Sequence, residues 1–99
     1  MIKVNGADGF LKTVGELIKR QRSLTMDQQD FAKRLGCGVN TVYRMENGHS
    51  VNSLTLFTAL ELLGLLEHFT PVLDDQYARV ANAPKRKRRK ISEDFSNDF

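Results

Sequence analysis

The chain has no tryptophan, one cysteine and two prolines among its 99 residues. The single cysteine, Cys37, cannot form a disulfide within the chain, which favours a reducing compartment. No stretch approaches the roughly eighteen consecutive apolar residues of a membrane helix, and the first residues lack the apolar core of a signal peptide. We therefore expect a cytoplasmic protein that does not enter a membrane.

The sequence also lacks the residue clusters of metal sites and active sites. His49 and His68 have no cysteine, aspartate or second histidine at metal-ligand spacing, so we expect neither a metal nor another cofactor. No Ser/His/Asp set and no pair of carboxylates outside the chain ends has the spacing of a catalytic site. We do not expect an enzyme, and we interpret Cys37 as a small buried hydrophobic residue.

Positive charge is present and unevenly distributed. Residues 10–48 contain seven Lys or Arg against four Asp or Glu, whereas residues 49–82 contain one against four. Six consecutive cations then precede an acidic end: Lys85, Arg86, Lys87, Arg88, Arg89 and Lys90. This distribution favours a polyanionic partner, with a solvated charge run as the alternative.

Helical periodicity dominates, which predicts an all-α fold. The predicted helices cover residues 14–22, 28–35, 39–47, 53–63 and 65–69. Thr13 with Glu16 has the capping-box pattern, and Asp27 and Asn52 are expected N-cap residues. We predict an N-terminal arm over residues 1–12, a folded domain over 13–75 and a flexible tail over 76–99, because the last segment is densely charged.

The third predicted helix has two different faces. Val42 and Met45 point to one side of a helical wheel, and the opposite side carries four polar residues within roughly a 100° arc. These residues are Asn40, Tyr43, Arg44 and Asn47. All four side chains can donate a hydrogen bond and none is acidic, as expected of a face that reads base edges and phosphates. An indifferent polar surface is the alternative interpretation.

The segment "DQQDFAKRLGCGVNTVYRMENG", residues 27–48, resembles the helix-turn-helix core of the Xre/lambda-repressor-like family. The matching positions are Asp27, Gln28, Phe31-Ala32, Leu35-Gly36, Val42, Met45-Glu46 and Gly48. "VNSLTLFTALELLGLL", residues 51–66, is similar to the fourth helix of that domain. Within the family, the HipB-type antitoxins share such a run and a basic tail that contains proline. Gly38 departs from the pattern, because the family usually has Ser or Thr at this N-cap.

The resemblance implies a lambda-repressor-like five-helix domain and assigns roles to its residues. Gln28, Thr41 and Asn47 would contact phosphates, while Asn40, Tyr43 and Arg44 would contact base edges. Val39 would meet a thymine methyl group or be partly buried against the second helix. Arg22 and Glu46 would form a structural ion pair between the first and third helices. Apart from the resemblance, the charge of residues 85–90 suggests that this run follows the DNA backbone.

More apolar surface is present around the fourth and fifth helices than one core requires, which usually indicates an interface. We expect a homodimer through Leu62, Leu65, Leu66 and Phe69 that binds a palindromic operator in double-stranded DNA.

The predicted function is a sequence-specific repressor, the HipB-like antitoxin of a toxin–antitoxin operon that regulates its own promoter. A HipA-like kinase toxin would be its partner. One alternative is a free-standing phage-type or restriction-modification control repressor. Another is a protein-interaction subunit without DNA binding. A nuclear import signal at 85–90 is less favoured, because the domain resembles bacterial and phage proteins.

Overall fold

The computed structural model describes residues 6–86, and these form five α-helices and no strand. The helices are α1 (Gly6–Ser23), α2 (Gln28–Leu35), α3 (Val39–Glu46), α4 (Ser53–Leu62) and α5 (Leu66–Ala81). The predicted all-α, five-helix fold is confirmed.

The ends of α2 and α4 follow from their capping residues. The Asp27 carboxylate accepts a hydrogen bond from the Asp30 amide at 2.8 Å, and the Asn52 side chain accepts from the Leu54 amide at 2.9 Å. Gly36 ends α2 with a left-handed φ of 73°. The two N-cap residues were expected at these positions, and the bounds of α2, α3 and α4 lie within one residue of the predicted ones.

The core lies where α1, α2, α3 and α4 meet. Its fully buried large side chains come from the first three helices: Ile18, Phe31, Val42 and Met45. Ala59, Leu60 and Leu65 close the core from the side of α4 and the turn that follows it. This packing orients α3 relative to α1 and α2.

Gly15 allows α1 and α3 to approach closely. A Cβ at this position would collide with the Met45 carbonyl oxygen and would lie 3.2 Å from both the Glu46 carbonyl oxygen and the Gly48 amide nitrogen. Only a residue without a side chain fits between these backbones. Gly15 therefore sets the distance between α1 and the C-terminal end of α3.

Two predicted boundaries were wrong. α1 begins at Gly6, so residues 6–12 are helical, and the Thr13 hydroxyl donates to the Gly9 carbonyl at 3.0 Å instead of capping a helix start. α5 continues through Pro71 to Ala81, well past residue 69. Pro71 removes one helical hydrogen bond, and its exposed position lets water solvate the carbonyl left without a partner.

The fifth helix projects from the rest of the molecule. All sixteen of its residues are described and none is buried. Its first residues, Leu66 and Phe69, pack against the core, and every residue from Thr70 to Ala81 is exposed.

The direction of α5 also bears on membrane crossing. Within residues 6–86, no single helix has the length and apolar composition of a membrane span. α4 and α5 have that length and composition only when they are taken together, and a 116° bend separates the two helices.

Candidate nucleic-acid interface

The two faces of α3 differ in chemistry. Val42 and Met45 are fully buried, and Glu46, its one acidic residue, is 4% exposed. Asn40, Tyr43, Arg44 and Asn47 are all exposed, Tyr43 to 57%. The structure thus brings the four predicted polar residues to one surface and directs the carboxylate into the protein. The exposed face of α3 carries hydrogen-bond donors and a positive charge.

A buried ion pair connects α3 to α1. The Arg22 Nε donates to Glu46 Oε2 at 2.6 Å, and the Arg22 Nη2 donates to Glu46 Oε1 at 3.1 Å. The Arg22 Nη1 also donates to the Met26 carbonyl oxygen at 2.8 Å, in the turn between α1 and α2. The two-point geometry fixes the relative orientation of the guanidinium and the carboxylate. Both charges are therefore neutralised inside the protein.

Gln28 joins the same network from α2. Its Nε2 donates to Glu46 Oε1 at 3.0 Å, and the residue is half-buried. The side chain to which the resemblance assigns a phosphate contact therefore has a partner within the protein. An amide nitrogen carries two N–H groups, so a second one remains for another acceptor.

Two residues of the exposed face also bond to the backbone. The Arg44 Nη2 donates to the Ser50 carbonyl at 2.9 Å, which holds the loop after α3. The Asn47 Nδ2 donates to the Tyr43 carbonyl at 2.8 Å and so caps the end of α3. A guanidinium has five N–H groups, so Arg44 can bond the loop and a base together.

The remaining predicted DNA contacts differ in exposure. Val39 is exposed at the start of α3, and Thr41 is half-buried. Lys85 and Arg86 are exposed after α5. The rest of the basic run, residues 87–90, lies outside the described residues.

The predicted dimer residues do not share one surface. Leu65 belongs to the hydrophobic core with 9% exposure, so its assignment to an interface was wrong. Leu66 and Phe69 are half-buried against the core, and Leu62 is exposed. The exposed apolar surface instead continues along α5, at Val72, Leu73, Tyr77 and Val80.

Two side chains of the described residues have a shifted pKa. Burial raises the pKa of the Cys37 thiol, which is half-buried in the turn before α3 and packs against the core. A hydrogen bond from Arg20 lowers the pKa of Glu16 on the surface of α1. Within residues 6–86, no group of His, Cys, Asp and Glu could hold a metal ion.

Sequence reasoning missed two residues that position α3. A glycine inside a helix is destabilising unless a neighbour comes close, and Gly15 adjoins the apolar positions Val14 and Ile18. That signal was available in the sequence. The bond between Gln28 and Glu46 had no comparable signal, because it depends on the angle between α2 and α3.

A family model described as helix-turn-helix matches residues 18–67, from the middle of α1 to the start of α5. No curated protein and no solved structure matches the chain. The matched segment includes α2, α3, the buried ion pair and the exposed face of α3. The chain belongs to the Xre/lambda-repressor-like helix-turn-helix family of DNA-binding transcription regulators.

Proposed function

We propose that the protein is a sequence-specific repressor that inserts α3 into the major groove of DNA. The observation that carries this proposal is the exposed face of α3, which combines amide, phenol and guanidinium groups. The one carboxylate of α3, that of Glu46, points into the protein and accepts a hydrogen bond from Arg22. An acid on the exposed face would repel the phosphates, and this arrangement avoids that repulsion.

The chemistry of the face suggests how bases are read. An arginine pairs with the O6 and N7 of guanine, and an asparagine pairs with the N6 and N7 of adenine. Arg44 and Asn40 are therefore the proposed base-reading residues, and Tyr43 lies beside them on the same exposed face. Val39 at the helix start would contact a thymine methyl group. Thr41 and Asn47 would contact the flanking phosphates.

We propose a homodimer through the apolar side of α5, which packs against the core at its first residues and is exposed beyond them. Leu66, Phe69, Leu73, Tyr77 and Val80 fall within roughly an 80° arc of the helical wheel. The acidic residues Glu67, Asp74 and Asp75 lie outside that arc, so two copies could pack along it without opposing charges. Such a dimer would present two α3 helices to a palindromic operator.

The finer proposal is that this repressor is a HipB-like antitoxin acting on its own operon. It rests on the resemblance of residues 51–66, and the exposed apolar side of α4 supports it. Leu54 and Phe57 are 72% and 52% exposed on a helix whose other side enters the core. We propose this patch as the surface for a HipA-like kinase toxin. A toxin gene beside this one would support the proposal, and a methyltransferase or integrase gene would contradict it.

The basic run would add sequence-independent affinity. Lys85 and Arg86 begin it directly beyond α5. For duplex DNA, each phosphate that the run neutralises makes the slope of log K against log salt concentration steeper by about 0.9. The run would therefore strengthen binding to all DNA while α3 supplies the sequence preference.

Arg44→Ala tests the role of α3. We expect the binding free energy to become about 1–3 kcal/mol less favourable for the duplex that the wild-type protein selects from a random library. The preference at one base position should also be relaxed. The measurement is fluorescence anisotropy on the selected duplex and on a scrambled one. Arg34→Ala is the control, because Arg34 is exposed on α2. This substitution should weaken binding to both duplexes slightly and equally. Equal effects of the two substitutions would disprove base reading by Arg44.

A further inference from the structure

Glu46 accepts hydrogen bonds from two other helices of the domain. Its Oε2 accepts from the Nε of Arg22, which is the contribution of α1. Its Oε1 accepts from the Nη2 of Arg22 and from the Nε2 of Gln28, the first residue of α2. Since Glu46 is the last residue of α3, its carboxylate is the point at which all three helices are joined.

The two donors to Glu46 occupy different surroundings. Arg22 is buried, and its guanidinium is also bonded to the Met26 carbonyl. Gln28 is half-buried and reaches the carboxylate from the protein surface, at the N-terminal end of α2. Gln28 is therefore the member of the network that both bonds Glu46 and remains accessible to an external acceptor.

We infer that Gln28 is a positioning residue, which holds α3 at its reading angle through Glu46 and thereby determines sequence preference. A residue that only contacts a phosphate would strengthen binding to every DNA sequence alike. A residue that fixes the angle of α3 affects only those contacts that require base edges to be aligned. This inference about sequence preference rests on the proposed DNA-reading function of α3.

The decisive variant is Gln28→Met, which keeps the length of the side chain and removes the amide. Without this bond α3 samples other orientations in the free protein, and the cost of ordering it on binding should lower affinity for the selected duplex about tenfold. Affinity for a scrambled duplex should stay within a factor of about two of the wild-type value. Gln29→Met is the matched control, because Gln29 is the exposed neighbour in the same helix.

A second measurement needs no DNA. Backbone amide exchange in α3, measured by NMR on the free full-length protein, should be faster in Gln28→Met than in Gln29→Met at Met45 and Glu46. Equal exchange in the two variants overturns the positioning role. Equal losses on selected and scrambled duplexes also overturn it and leave a phosphate contact. A wild-type protein without any sequence preference would disprove the proposed function, while the exchange data would still decide the role of Gln28.

Discussion

The helix-turn-helix region and the fifth helix differ in how far their apolar side chains are buried. α1, α2 and α3 each contribute fully buried side chains, and α1 and α3 approach within backbone contact at Gly15. In α5, all of which is described, no residue is buried. Yet α5 is not poor in apolar residues, since Val72, Leu73 and Tyr77 are all more than 60% exposed. Only the start of α5 packs against the domain, through the half-buried Leu66 and Phe69, and every residue of α5 from Thr70 onward is exposed.

This difference separates the residues that stabilise the folded domain from those that would form the proposed dimer. The buried core is formed by the first four helices and Leu65, and α5 adds only the half-buried Leu66 and Phe69. The exposed remainder of an amphipathic helix stays available for another molecule. Substitutions in the two regions should therefore affect different measurements.

The largest expected effect is on the free energy of unfolding. Phe31→Ala empties a fully buried position and should cost about 3–5 kcal/mol. Leu73→Ala removes a similar apolar side chain from α5 and should cost less than about 0.5 kcal/mol. Urea denaturation at low protein concentration measures both. Similar costs would mean that α5 packs against the domain.

The next effect concerns association. Leu73→Glu should weaken the proposed dimer by about 3 kcal/mol, roughly a hundredfold, because an apolar contact is lost in both copies. Ala78→Glu adds the same charge outside the apolar arc and should leave the dimer intact. Light scattering over a range of concentrations distinguishes the two. A wild-type protein that is monomeric at tens of micromolar would contradict the dimer.

An added methyl group should be costly at Gly15, although it is well tolerated at an exposed helix position. At an exposed helix position, Gly→Ala stabilises by about 0.5–1 kcal/mol. Gly15→Ala should instead destabilise by about 1–3 kcal/mol, because the methyl group meets the Met45 carbonyl. Ala78→Val enlarges an exposed residue of α5 and should change stability by at most about 0.5 kcal/mol. Thermal unfolding measures both, and a stabilised Gly15→Ala protein would show that the helices can separate at little cost.

The smallest predicted effect is a gain within the packed region. Gly38 is the N-cap residue of α3 but has no side chain to accept a hydrogen bond, and a Cβ there would meet no atom within 4 Å. Gly38→Ser should stabilise the protein by about 0.3 kcal/mol through a new N-cap. Gly64→Ser is the comparison, because φ at Gly64 is 74° and a side chain would be strained. Calorimetry should show opposite shifts in the unfolding temperature.

Local signals explain which parts of the fold were predictable. Asp27, Gly36 and Asn52 are strong boundary residues, and the helices that they bound were predicted to within one residue. The start of α1 was missed because the glycines among its first residues indicated a turn, although helix formation continues through them. The length of α5 was missed because Pro71 indicated a helix end.

The candidate site was predictable to the extent that it depends on helical spacing. The outward orientation of Asn40, Tyr43 and Arg44 follows from the periodicity of α3 and from the inward positions of Val42 and Met45. The hydrogen bonds from Arg44 to Ser50 and from Gln28 to Glu46 join segments whose relative placement is set by tertiary packing. The burial of Leu65 depends likewise on the tight turn before α5.

The inward direction of Glu46 has a practical consequence for protein engineering. Exposed positions and buried positions that support the scaffold alternate along α3, so they can be varied separately. On the proposed function, Asn40 and Tyr43 can be randomised to obtain new operator preferences, since both side chains are exposed. Arg44 is less suitable for such a library, because its bond to the Ser50 carbonyl means that its replacement also releases the loop before α4.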